Sequence, residues 1–348
     1  MSEPTARPPD RPSACVIQTA FLGDVVLTTP LLSLLAERHG TVDVVTTPAA
    51  ATLLETHPAV RYVIRYDKHG ADRGWRGMRK LASELRARGY ASVYLPHRSV
   101  RSAVLAMLSG APERVGFADS PAAITYTRRV RRPSGGHEVE RLLALAGSAA
   151  SAPGVSLGLT ASDYAAADGW LAAHGVSPKF IGLAPGAIWG TKRWPYYAEL
   201  VAGLDRPCVV VGGVDDRSLA ETIVAAAPGR AVSAAGELAL RASAALIQRA
   251  AVLVTNDSAP LHLATAVGTP IVALFGPTVP DFGFGPRGAG DATLGLDGLV
   301  CRPCSKHGPE TCPLGHHRCM RELAVETVAA ALAAITSAEE SGAICPRN

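Results

Sequence analysis

Buried strands alternate with helices along most of the chain, and this alternation constrains the fold more than any other feature. In the first half, four apolar runs have the length and composition of strands: Cys15–Ala20, Thr41–Thr46, Val60–Tyr66 and Ser92–Leu95. Segments with helical spacing lie between them, and Gly40 and Gly89 follow two of these segments, where helix-ending glycines are common. Such alternation is typical of a parallel, doubly wound sheet.

The alternation restarts in the second half, which predicts a second α/β domain. Four further runs have the pattern of strands: Lys179–Ala184, Pro207–Gly212, Ala250–Thr255 and Pro270–Phe275. We therefore predict two Rossmann-like domains that face a cleft. The predicted divisions are a disordered lead-in at 1–14, a first domain at 15–160, a linker at 161–178, a second domain at 179–321 with a Cys-rich loop at 301–319, and a C-terminal helix at 322–340.

Composition and charge limit the function. The chain has 348 residues, of which 48% are hydrophobic, enough for two cores. No apolar run reaches the roughly 20 residues that span a bilayer, and the polar, Pro-rich N-terminus lacks the apolar segment of a signal peptide. We therefore expect a cytoplasmic protein. Residues 1–160 carry 20 Lys and Arg against 13 Asp and Glu.

This positive first half suits an anionic partner, such as a phosphorylated acceptor or a membrane surface, and a solvated basic face is the alternative. Two groups of basic residues are candidates for such contacts: Arg128, Arg129, Arg131 and Arg132, and His97, Arg98 and Arg101. Nucleic acid is disfavoured because no aromatic side chains accompany the charge.

Ligands of open α/β sheets bind beyond the carboxyl ends of the strands, so the loops there are the candidate sites. The first such loop contains Gly23, which would allow a tight turn, and Asp24, which stands at a predicted helix start. Asp24 has the chemistry of a general base, although capping of the helix is the simpler interpretation.

The second loop runs from Pro185 to Pro195. Gly186 leaves room for a ligand close to the backbone, and Lys192 and Arg193 supply positive charge that would neutralise a diphosphate leaving group without a metal. The spacing is not that of a P-loop. An ordinary exposed basic turn is the alternative.

The third loop, 256–262, runs into a helix that has Pro260 near its first position. Free N–H groups at such a helix start bind anions. The candidate ligand contacts of this loop and of the next are Asp257, Ser258, Ala259, Leu261, His262 and Thr278. Capping by Asp257 and a core position for His262 are the structural alternatives.

Four of the seven cysteines are close together: Cys301, Cys304, Cys312 and Cys319. A Cys-x2-Cys pair with two further cysteines fits a structural zinc ion or an iron–sulfur cluster, and disulfides are disfavoured in the cytoplasm. The Cys-x6-Cys spacing of the second pair departs from the usual short one. A loop of reduced cysteines is therefore the alternative.

Three stretches, at 22–30, 185–195 and 256–278, together resemble the bacterial heptosyltransferases of glycosyltransferase family 9, particularly their heptosyltransferase II type. The resemblance covers the chain from Cys15 to about Ala334. It implies a GT-B fold, an ADP-heptose donor bound mainly by the second domain, and a lipopolysaccharide inner-core acceptor bound by the first at the inner membrane surface. It also implies a final helix that often crosses back to the first domain.

For the residues, the resemblance implies that Asp24 is the catalytic base of an inverting transfer. It places Lys192 near the diphosphate and the heptose, Asp257 near the heptose, and the Ser258–His262 backbone at the diphosphate, with no metal required for catalysis. Asp215 or Asp216 would meet the ribose. The family usually has glycine where this chain has Ala259, which puts the donor preference in question.

Two other functions remain open at this point. The chain could be a family-9 transferase that uses another sugar nucleotide or a non-lipopolysaccharide acceptor, or a non-catalytic nucleotide-binding module that regulates a partner. Retention of Asp24, Lys192 and Asp257 together argues against a non-catalytic module.

Overall fold

The computed structural model describes residues 14–147 and 153–341, and the chain divides into two compact units. The first comprises 1–134 and 139–154, and the second comprises 135–138 and 155–348. Apart from Ala14, the predicted lead-in at 1–14 lies outside the described residues. None of the described helices has both the length and the apolar character that a membrane span requires.

The first unit is built on a six-stranded sheet in which every pair of neighbouring strands is parallel. Its strands are β1 Ala14–Ile17, β2 Val42–Thr46, β3 Val60–Arg65, β4 Ser92–Leu95, β5 Glu113–Phe117 and β6 Arg128–Val130. Its helices are α1 Leu22–His39, α2 Pro48–Leu54, α3 Gly74–Arg88, α4 Val100–Leu108 and α5 Glu138–Leu143, whose first residue belongs to the second unit.

The strand order is β3-β2-β1-β4-β5-β6, the order of a dinucleotide-binding sheet. All residues of β1, β2 and β4 are buried, as expected for parallel strands covered on both faces. The order changes direction between β1 and β4. The carboxyl ends of these two strands therefore border the crevice where such sheets bind ligands.

The second unit repeats this architecture with the order β9-β8-β7-β10-β11-β12. Its strands are β7 Ile181–Ala184, β8 Cys208–Val210, β9 Ala231–Ser233, β10 Val252–Asn256, β11 Ile271–Leu274 and β12 Ala292–Leu294. Its helices are α6 Ala161–Ala173, α7 Tyr197–Ala202, α8 Arg217–Ala226, α9 Leu240–Gln248, α10 Ala259–Val267, α11 Arg318–Arg321 and α12 Val325–Glu340. The change of direction lies between β7 and β10. The two-domain α/β prediction is confirmed.

Two predicted divisions need correction. The region predicted as a linker, 161–178, consists mostly of α6, which belongs to the second unit because Asp163 pairs with Arg241 of α9 at 3.1 Å. The final helix α12 also belongs to the second unit. It contributes Val328, Leu332 and Ile335 to a core that also contains Trp194, because an apolar stripe needs a buried partner.

Candidate functional site

Three predicted site residues of the second unit meet at one carboxylate. Lys192 lies in a 3-10 turn after β7, Asp257 follows β10, and Thr278 follows β11. The Lys192 ammonium lies 2.6 Å from Asp257 Oδ2, and the Thr278 hydroxyl donates to the same oxygen at 2.7 Å. The Lys192 and Asp257 side chains are only 12% and 10% exposed. The carboxyl ends of three strands therefore build one polar cluster.

The N-terminus of α10 adjoins this cluster in the sequence. Ser258 is the N-cap residue, and its hydroxyl is buried without a hydrogen-bond partner in the described part of the chain. Ala259 opens the helix and is half-buried, and Leu261 N–H donates to Ser258 O at 3.1 Å. A buried hydroxyl without a partner costs free energy, and here it lies at the positive end of a helix dipole. This combination suits an anionic ligand.

His262 occupies the first turn of α10 but carries no charge near neutrality. Burial lowers its pKa to about 4, despite the opposing effect of the Asp257 carboxylate. Its ring makes an edge-to-face contact with Phe284, with 6.3 Å between ring centroids. His262 is thus a neutral, packed histidine, which is the structural alternative considered for it above.

Gly186 is required by the close approach of Asp216. A Cβ atom at Gly186 would lie 2.2 Å from Asp216 Oδ1, and Asp216 Oδ2 accepts the Gly213 N–H at 2.9 Å. Of the two aspartates predicted near the ribose, Asp216 therefore lies against the glycine loop.

Arg193 has a different environment from Lys192. Its Nε and Nη2 both donate to the carbonyl of Ala187, at 3.0 and 2.8 Å, so that it holds the 185–195 loop together. The sequence argument also missed Asn256. Its amide donates to Pro185 O at 2.7 Å and accepts from Trp194 N–H at 3.2 Å, which joins the two loops. An Asn at the end of a mostly apolar strand is the feature of the sequence that would have indicated this structural role.

In the first unit, Asp24 lies in the first turn of α1. Helix α1 begins at Leu22, so Gly23 is helical and does not form the predicted tight turn. Asp24 Oδ2 accepts the Phe21 N–H at 3.1 Å, which explains the early helix start because a carboxylate at this position satisfies a free donor. The capping role is therefore present, and it leaves the proposed role as a base untested.

Comparison with known proteins identifies the family. The model of glycosyltransferase family 9 (heptosyltransferase) matches residues 78–314. Lipopolysaccharide heptosyltransferase 2 of Escherichia coli K12 is 30% identical over 77% of this chain and 83% of its own length. The chain belongs to glycosyltransferase family 9. It is accordingly a glycosyltransferase.

Solved structures agree with this assignment. The transferase resembles a family-9 glycosyl transferase from Veillonella parvula with a TM-score of 0.84 at 25% identity, over 96% of this chain and 99% of that one. It resembles E. coli ADP-heptose lps heptosyltransferase II with a TM-score of 0.77 at 25% identity, over 94% and 99%. The GT-B type of architecture is confirmed.

The Cys-rich segment contacts the turns that carry the polar cluster of the second unit. His317 Nε2 lies 2.8 Å from Thr191 O, and Cys304 N–H donates to Pro277 O at 2.9 Å. Arg302 donates to Thr278 O at 3.2 Å and to Phe275 O at 3.0 Å. The segment therefore supports the two turns that carry Lys192 and Thr278.

The four cysteines of this segment are all free thiols. Three of them, Cys301, Cys304 and Cys312, line one surface pocket. Burial disfavours the thiolate of Cys312, but backbone N–H groups at 314–317 outweigh it and lower the pKa of that thiol. Within 14–147 and 153–341, no three Cys, His, Asp or Glu side chains are arranged to hold a metal ion.

Most of the basic candidates of the first unit already have partners. Arg128 pairs with Glu113 at 3.1 Å, and Arg98 pairs with Asp119 at 3.0 Å. Arg129 donates to Ala123 O at 2.9 Å. His97 and Arg101 differ in that they have no carboxylate partner among the described residues, and they lie close to Lys68, which the sequence argument did not select.

Proposed function

We propose that this transferase moves a heptose from ADP-heptose to the inner core of lipopolysaccharide, with inversion at the anomeric carbon and without a catalytic metal. The observation that carries the donor assignment is the convergence of Lys192 and Thr278 on Asp257, next in sequence to the Ser258 hydroxyl that lacks a partner. The two E. coli relatives named above are heptosyltransferases, which supports the choice of sugar.

The proposed reaction is a displacement at the anomeric carbon of the donor. Asp24 removes the proton of an acceptor hydroxyl, and that oxygen bonds to the anomeric carbon on the face opposite ADP. The bond from that carbon to the diphosphate oxygen breaks, and ADP leaves with the electron pair. Lys192 and the N-terminus of α10 stabilise the charge on ADP. Asp257 accepts hydrogen bonds from heptose hydroxyls.

A donor screen tests the substrate. Purified enzyme would be incubated with a truncated core acceptor and with ADP-heptose or UDP-, GDP- or CDP-sugars, and products would be identified by mass spectrometry. We expect transfer from ADP-heptose, with an inverted anomeric configuration by NMR. Transfer only from another sugar nucleotide would support the alternative family-9 activity, and nucleotide binding without any transfer would support the regulatory module.

Asp24→Asn tests the base, and the chain contains a matched control. Asp163 also stands in a first helical turn and accepts the N–H of a residue three positions earlier, Thr160, at 2.8 Å. Asp163→Asn, like Asp24→Asn, removes a capping carboxylate, and it also breaks the ion pair with Arg241, so it is the more disruptive of the two substitutions for the fold. We expect Asp24→Asn to lower the rate of transfer by at least roughly a hundredfold, as is typical when a general base is lost, and Asp163→Asn to retain transfer. Near-normal transfer by Asp24→Asn would exclude Asp24 as the base.

We also propose that the four cysteines hold a structural zinc ion or iron–sulfur cluster. Four thiolates suit both groups, and three of them line one pocket, although the thiols would have to draw together. Elemental analysis should find the metal in the native protein. The double variant Cys304→Ser/Cys312→Ser should lose the metal, and the control variant Cys345→Ser should retain it. Metal-free native protein would refute this proposal.

We propose in addition that the transferase acts at the cytoplasmic face of the inner membrane. The excess of Lys and Arg over Asp and Glu in residues 1–160 supports this location. Co-sedimentation with vesicles should require anionic lipid and weaken with salt. Equal recovery with neutral vesicles would contradict an electrostatic association.

A further inference from the structure

The crevice between β1 and β4 of the first unit contains a connected polar network. Thr19 follows β1, and His97 follows β4. His97 Nε2 lies 2.9 Å from the Ser102 hydroxyl, which lies 3.5 Å from the Thr19 hydroxyl. The Lys68 ammonium, beyond the end of β3, donates to Thr19 O at 2.6 Å. The network therefore occupies the place where sheets of this order bind ligands.

Two cations are held here without an anion. Arg101 donates to Lys68 O at 3.3 Å, and its charge adds to burial in lowering the pKa of Lys68. Neither side chain has a carboxylate within ion-pair distance among the described residues. An ammonium has three donors, and Lys68 uses one of them for Thr19 O. Like charges held together in this way are unfavourable unless an anion joins them.

Other cations of the chain differ from this pair. Arg61 and Arg88 share the wholly buried Asp43, and Lys192 pairs with Asp257. Arg193 and Arg302 donate to backbone carbonyls. At Lys68 and Arg101, by contrast, two cations adjoin each other with no carboxylate of the described residues at either one.

A second observation points to a ligand at the same place. His97 Nδ1 is buried and has no hydrogen-bond partner in the described structure. The N-terminus of the nine-residue helix α4, capped by Ser99, lies in the same connection. Burial, together with the charge of the neighbouring Lys68, lowers the pKa of His97 to about 4, so the imidazole is neutral and can donate from one nitrogen.

We propose that Lys68, Arg101 and His97 form a binding site for one anionic group of the acceptor, a phosphate or a carboxylate. The inference rests on the proposed function, because it assigns the group to the acceptor of that reaction. Two cations with free donors and a helix N-terminus are the elements that recognise such oxyanions. Arg98, which is already paired with Asp119, lies outside the site.

The test compares acceptors with and without the anion. Lys68→Gln and Arg101→Gln would be assayed with the native truncated core, with the phosphatase-treated core and with the carboxyl-reduced core. With the native core, we expect each variant to raise the acceptor KM by roughly tenfold or more, with little change in kcat or in the ADP-heptose KM. On the core that lacks the recognised anion, wild type and variants should have the same acceptor KM. The treatment that produces this result shows whether the recognised group is a phosphate or a carboxylate. Arg98→Gln is the matched control, and Lys68→Arg should restore most of the affinity.

Measurement of anion binding tests the Lys68 site independently of heptose transfer. With ADP saturating the donor site, inorganic phosphate and acetate would be titrated into full-length protein while the 15N resonances of the His97 ring are followed. Saturable shifts that disappear in Lys68→Gln would support the site even if no heptose transfer occurs. Absence of shifts in wild type, or equal KM increases on native and anion-free cores, would overturn it. Circular dichroism would confirm that the variants are folded.

Discussion

The ion pair of Lys192 with Asp257 should contribute to folding as well as to donor binding. Lys192→Met leaves a carboxylate that is only 10% exposed with the Thr278 hydroxyl as its remaining described side-chain donor. Loss of one partner of a buried pair costs about 3–5 kcal/mol, and the residual exposure and the Thr278 hydrogen bond place this case near 3 kcal/mol. For a unit of this size, the melting temperature should fall by about 6–12 °C.

The double variant Lys192→Met/Asp257→Asn distinguishes charge from shape. It removes both charges and keeps an oxygen that accepts a hydrogen bond from the Thr278 hydroxyl. It should therefore recover at least half of the free energy of unfolding that Lys192→Met loses, while neither variant catalyses transfer. Urea unfolding followed by tryptophan fluorescence suits this test, because three of the four tryptophans lie in the second unit. Equal stability of wild type and Lys192→Met, or strict additivity in the double variant, would refute the reasoning.

Three further predictions concern other residues of the transferase. Ser258→Ala removes a buried hydroxyl without a partner in the described structure, so the free energy of unfolding should rise by about 1 kcal/mol while the Kd for ADP, measured by calorimetry, increases about tenfold; a less stable variant, or one that binds ADP as tightly as wild type, would contradict a ligand-binding hydroxyl. The pKa of His262 is lowered to about 4 in the folded chain, whereas in the unfolded chain it lies near 6.5. As the pH is lowered through this interval, the unfolded chain binds a proton that the folded chain does not, so the free energy of unfolding should fall. Urea titrations at several pH values should show a smaller fall in His262→Gln, and an unchanged slope would exclude this histidine. Arg302→Lys loses the planar fork that reaches Phe275 O and Thr278 O, so the KM for ADP-heptose should rise several-fold in steady-state assays with the acceptor KM unchanged, and equal rises would indicate general unfolding.

The sequence predicted the central strands of both sheets well, because parallel strands buried on two faces are continuous apolar runs. The strand at Ser92–Leu95 has the predicted bounds. The last two strands of the first sheet, Glu113–Phe117 and Arg128–Val130, were missed, since their charged residues hide the apolar pattern. Helix α9, Leu240–Gln248, was also missed, because alanines make up most of its buried face.

The candidate site was predictable where the loops directly after the strands carry recognisable chemistry. The rule that ligands bind beyond strand ends selected Lys192, Asp257 and Thr278, and they do converge. Lys68 was not selected because Asp67, Lys68 and His69 have the composition of a solvated turn. Its significance depends on the strand order, which brings it to Thr19, 49 positions away in the chain.

The two crevices differ in their charge balance, and this difference bears on the chemistry. In the second unit, Asp257 already neutralises Lys192. For Lys192 to stabilise a departing diphosphate, as we propose, other donors must satisfy Asp257. Thr278 supplies one such donor, and hydroxyls of a bound sugar would supply others. Sugar binding would thereby release the positive charge of Lys192 towards the leaving group. In the first unit, Lys68 and Arg101 have no carboxylate within ion-pair distance among the described residues, so the proposed anionic group would bind there without such a step. The crevice of the second unit would therefore suit charge that develops during the reaction, and the crevice of the first unit would suit charge that is present from the start.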